Sequence, residues 1–115
     1  SVFMNRWLIW WPGRDMLALS NKRVWEGSML AHRSVLPIYP SMPRKEDSYV
    51  AHWVTAYHAT ALVDWPQMYC YRVTGKNTWD EAHFERMMSQ ASKIFEGEEK
   101  QAVLQLPCFR IAEQR

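Results

Sequence analysis

The sequence predicts an α+β fold, a single small domain in which a mixed or antiparallel sheet carries two helices packed on one face. Three observations lead there. Val2 to Trp11 is apolar on both alternating faces, the pattern of a strand covered on both sides. Residues 78–97 carry apolar positions at helical spacing between two cap signals. Short Tyr-, Val- and Leu-rich runs on either side of that helix supply further strands, and strands interspersed with helices define the class. A chain of 115 residues, 48% hydrophobic and 23% charged, folds without metal or disulfide staples.

Along the chain, Pro12-Gly13 turns the first strand, and Arg14 follows. Residues 15–31 fit two readings. One is a hairpin built from Met16–Leu19 and Val24-Trp25; the other is a short helix capped by Asp15. Pro37, Pro40 and Pro43 recur every third residue, which suits a polyproline II loop and no helix interior. A helix capped by Asp47 or Ser48 and running to Ala61 follows from the spacing of Val50, Trp53, Val54, Tyr57 and Ala61. A strand competes, because Tyr49, Trp53, Tyr57, Val63 and Trp65 also share one alternating face.

Gln67–Thr74 reads as a strand closed by Gly75-Lys76-Asn77. Thr78 and Glu81 form a capping box, and Phe84, Met87, Met88, Ala91, Ile94 and Phe95 trace the stripe of a helix from Trp79 to Glu96, ended by Gly97. Ala102, Leu104 and Leu106 suggest a last strand, extended past Pro107.

The chemistry-bearing residues are sparse. His52 and His58 lie six apart, on different faces of a helix and about 20 Å apart on a strand, so they cannot share an ion. No zinc-type spacing, glycine-rich phosphate loop or nucleophile elbow occurs, and neither metal nor cofactor is expected. If the helix reached Asp64, its carboxyl would lie between Trp53 and Tyr57, where burial would suit acid/base work; otherwise Asp64 belongs to the turn before Pro66. His83, beside Phe84, reads as a boundary histidine. Asp64, His58 and His52 are the catalytic candidates of a small isomerase- or hydrolase-type enzyme with an aromatic-lined pocket.

Charge points elsewhere. Residues 1–45 hold seven Lys/Arg against two acids, net +5, and residues 46–115 hold seven against ten, net −3. The basic third interleaves cations with tryptophans, which makes Arg6, Trp10, Trp11, Arg14, Lys22, Arg23 and Trp25 the binding candidates. Tyr39 and Lys45 join them from the segment Tyr39-Pro40-Ser41-Met42-Pro43-Arg44-Lys45, which fits the pattern that aromatic grooves for proline-rich ligands accept. A non-catalytic interaction module therefore leads, with a protein partner first and nucleic acid second. No run approaches the roughly 18 apolar residues of a membrane span. Cys70 and Cys108, each beside an aromatic, read as small buried hydrophobes, and with no Asn-x-Ser/Thr sequon they favour an intracellular location.

Overall fold

Residues 8–11 are covered from both sides because helices lie against both faces of their sheet. The computed structural model describes residues 1–37, 41, 46–77 and 79–109. Its strands are β1 (Val2–Met4), β2 (Leu8–Trp11), β3 (Met16–Leu19), β4 (Ala61–Val63), β5 (Cys70–Arg72) and β6 (Lys93–Phe95), and its α-helices are α1 (Glu46–Tyr57), α2 (Glu81–Ser89) and α3 (Gly97–Leu104). The chain is α+β. It divides into two compact units, Ser1–Asn5 with Arg23–Asp64, and Arg6–Lys22 with Trp65 onward.

In the first unit β1 pairs in parallel with β4, Phe3 opposite Leu62, and a bridge joins Val2 to Leu30 on the other side of β1. Phe3 is completely buried and packs against Val50, Ala51 and Val54 of α1, with Val24, Met29, Val35 and Leu36 around them. Those three α1 residues occupy neighbouring positions at about 100° per residue, so α1 lies over β1.

In the second unit the sheet order is β5-β2-β3-β6, with β2 parallel to β5 and the other pairs antiparallel. The registers Leu8↔Leu19, Trp10↔Leu17, Leu8↔Cys70 and Leu17↔Phe95 put those side chains on one face. There Val103 and Leu104 of α3, with Phe109, close a cluster around Leu8 and Leu17. The opposite face carries Ile9, Trp11, Ala18 and Tyr71, and α2 covers it through Phe84, whose ring meets Trp11 edge-on at 6.2 Å and Tyr71 at 5.6 Å. Buried Ser20 is satisfied, because its hydroxyl accepts from the Trp7 N–H at 3.0 Å and donates to the Asn21 carbonyl.

Several sequence expectations are corrected here. Val2–Trp11 forms two strands, since the chain leaves β1 at Asn5 and re-enters a different sheet at Leu8. The hairpin is β2–β3 around Pro12–Arg14, with Asp15 in the left-handed region at φ 50°, where Asp is tolerated; Val24-Trp25 is no strand. The strand expected over Gln67–Thr74 contracts to β5, after a single turn at Pro66–Met68.

Helix α1 starts one residue before Asp47 and ends at Tyr57, because Ala61–Val63 is taken by β4. The stripe from Trp79 to Glu96 is not one helix. Asp80, accepting from the His83 N–H at 3.0 Å, caps α2, which stops at Ser89 so that Lys93–Phe95 can pair with β3. Gly97, at φ +58°, opens α3 instead of closing α2, and the expected last strand is α3 itself, with Glu98 and Glu99 in its first turn suiting the helix dipole. Besides these three α-helices, residues 107–109 are helical, and in the second unit helices cover both sheet faces.

Candidate functional site

The structure brings together two of the binding residues, Trp11 and Arg14. Trp11 ends β2, and the turn at Pro12–Arg14 folds Arg14 back so that its guanidinium carbon lies 4.1 Å from the Trp11 ring centroid. From α2, Glu85 meets the same guanidinium at 2.8 Å and Glu81 at 3.5 Å. These pairs are exposed and contribute little stability; their effect is to fix Arg14 over the indole. Beside them runs an open groove of about 280 Å³ lined by Trp11, Arg14, Met16, Glu85, Met88, Ser89 and Ile94. Its walls are largely apolar, with Arg14 and Glu85 the charged residues among them.

The other candidates are dispersed. Trp10 is half-buried on the opposite sheet face, against the Leu8 and Leu17 cluster, and in the same unit Arg6 is half-buried and Lys22 exposed. Arg23 and Trp25 belong to the first unit, where Arg23 is paired with Glu26 at 2.6 Å and Trp25 is half-buried. Tyr39 and Lys45 lie outside the described residues. The tryptophans of the basic third are therefore covered wholly or in part, and the exposed ones are Trp53 and Trp65. Packing explains the difference: Trp7 and Trp11 are the bulk that fills the second unit.

The acid/base candidates lie at the surface. His52, His58 and Asp64 are all exposed, and Asp64 follows β4 instead of extending α1, so the burial that would tune its carboxyl is absent. His83 is half-buried, stacked on Trp79 at 4.6 Å and edge-on to Phe84. No group of three His, Cys, Asp or Glu side chains able to hold a metal occurs among the described residues. No helix among them is long and apolar enough to cross a membrane.

Cys70 and Cys108 are free thiols that flank the Leu8, Leu17 and Phe109 cluster. Burial pushes the Cys70 thiol up to about 12, with the neighbouring Cys108 adding to the effect, and burial raises Cys108 as well. Reactivity belongs to the thiolate, so native Cys70 should be alkylated by iodoacetamide at pH 8 roughly a hundredfold or more slower than in urea, read by mass spectrometry. Equal rates would contradict its burial. The folded state keeps this proton while the unfolded thiol loses it near 9. Stability from this group is therefore fully present below pH 9 and falls as pH rises toward 12.

Sequence reasoning missed Met16, Glu85, Met88, Ser89 and Ile94 as groove residues and Glu81 as a partner of Arg14, and it missed the exposed aromatic row Tyr49, Trp53 and Tyr57 on α1. The i, i+4, i+8 spacing of that row was available as a signal, but it reads equally as a core stripe. Compared with protein-family models, curated proteins and solved structures, the chain matches none, so its functional reading rests on its own geometry.

Proposed function

We propose that this chain is a non-catalytic binding module for a protein partner, and that the Trp11–Arg14 groove receives one large apolar side chain of an extended partner segment. The observation that carries this reading is the pairing of an apolar trough with a fixed charged rim. At about 280 Å³ the groove falls just under the roughly 300–1,000 Å³ of pockets that enclose small molecules, and it is open, which suits a side chain presented from outside. Met16 and Met88 give it adaptable walls. Two carboxylates, Glu81 and Glu85, face one guanidinium, which leaves acceptor capacity for a Lys or Arg beside the partner's anchor.

Nucleic acid is the weaker alternative. Arg14, Arg23, Lys93 and Lys100 each already meet a carboxylate, so these four would have to give up that partner to neutralise phosphate and release counterions. The test is selection of a random-peptide display library on the intact chain. Selected peptides should carry a large aliphatic or Met anchor next to a basic residue, and Ile94→Glu, at an exposed groove position, should weaken them at least about tenfold with the circular dichroism unchanged. Peptides insensitive to Ile94→Glu and Arg14→Glu, or salt-sensitive binding of a fluorescent single-stranded oligonucleotide in their place, would overturn the proposal.

A further inference from the structure

The first unit carries a second surface, independent of the groove. On α1, Tyr49, Trp53 and Tyr57 are 47%, 40% and 68% exposed, with the Trp53 and Tyr57 rings 4.6 Å apart. Spaced four residues apart, they form a row about 12 Å long. Its placement follows from the fold. Ser48 Oγ donates to Glu26 Oε1 at 3.3 Å, which fixes one flank of α1 against the turn at Glu26–Ser28. The aromatic row lies on the other side of the buried stripe Val50, Ala51 and Val54, by about the same rotation. It therefore overlooks β4, which flanks β1 opposite the Leu30 bridge. Leu62 shares the sheet face of its register partner Phe3, the face that α1 covers, yet it is 52% exposed.

The edge of β4 is open among the described residues. Ala61 N–H donates to the Ser1 carbonyl and Asn5 N–H to the Val63 carbonyl, so Ala61 and Val63 turn their backbone groups to β1. Alternation along the strand then directs both the N–H and the C=O of Leu62 outward. A two-stranded sheet is marginal by itself, and such an edge is a template for another strand.

We propose that a second copy of this chain occupies this face, its β4 pairing antiparallel with β4 about a two-fold axis at Leu62. Four features single out this occupant. At the axis each Leu62 N–H donates to the partner's Leu62 carbonyl, which satisfies both outward groups reciprocally. The pairing makes a four-stranded sheet, β1-β4-β4-β1, with both α1 helices on the same side. Three strand spacings set those helices about 14 Å apart, wider than the usual 8–10 Å or so, and the two aromatic rows supply the bulk to fill the gap. From Ser48 to Val63 there is no Asp, Glu, Lys or Arg, so no such charge from this stretch is brought near its own copy at the two-fold axis.

Sedimentation equilibrium on the full chain across a micromolar concentration series tests this. Wild type should show a reversible monomer–dimer equilibrium. Tyr57→Lys and Leu62→Lys, both at exposed positions, should each raise the dimer dissociation constant at least about tenfold with unchanged circular dichroism. Mixing Leu62→Lys with Leu62→Glu should restore dimers, because the axis places the two side chains opposite each other. Ile94→Glu should leave the equilibrium alone, which separates this surface from the groove. A wild type monomeric throughout, or a dimer indifferent to both Lys variants, would overturn the proposal.

Discussion

Phe84→Ala should destabilise the chain by about 3–5 kcal/mol. Phe84 is 2% exposed at the middle of α2 and is the ring on which that helix docks. It meets Trp11, Tyr71 and His83 with centroids within 6.2, 5.6 and 5.3 Å, so truncation removes the transfer free energy of a large side chain, leaves a cavity among stiff rings and forfeits the aromatic contacts. Urea denaturation followed by circular dichroism measures the loss, and Phe84→Leu should keep more than half of the stability lost to Ala, since most of the volume remains. A loss under about 1 kcal/mol would mean that α2 is held by something other than this ring. Trp11 is pinned between Phe84 and Arg14, so the same variant should also loosen the groove, and peptides selected on wild type should bind it less tightly.

How far the sequence reveals these features depends on whether they are local. The double-sided burial of β2 is written in Leu8, Ile9 and Trp11, and α1 in the spacing of Val50 and Val54. What sequence cannot display is the demand of a distant strand. Phe84 and Met88 obey helical spacing, and Ala91, Ile94 and Phe95 continue it, yet β3 needs an edge partner and takes Lys93–Phe95. A non-local pairing overrides local periodicity there.

Residues 97–104 fail for the opposite reason. Alternation at Ala102, Leu104 and Leu106 imitates a strand, while the helix signal is confined to two glutamates in the first turn. The site shows the same division. Trp11 and Arg14 are three residues apart and both belong to the basic, Trp-rich third, whereas Glu81, Glu85 and Ile94 reach them only through folding. The catalytic reading of Asp64 depended on one helix boundary, and β4 decided it.

Phe3→Ala should cost the first unit a similar amount, about 3–5 kcal/mol, because that unit is built on fewer residues. Phe3 is completely buried, and the buried cluster contains only Val50, Ala51 and Val54 besides it. None of the three is large enough to occupy the space a benzyl group leaves, and all belong to one helix, so relaxation requires α1 to shift as a body. The partly buried Val24, Met29, Val35 and Leu36 around them come from irregular chain and short turns, which yield more easily but bring little bulk. Hydrogen exchange resolves the effect by segment. Amides of α1 and of β1 paired with β4 should lose protection together in Phe3→Ala, since the helix and the strand pair share this one side chain. Phe3→Leu should restore most of the protection. If α1 amides kept wild-type protection in Phe3→Ala, α1 would not be docked through Phe3, and the placement of its aromatic row beside β4 would lose its anchor.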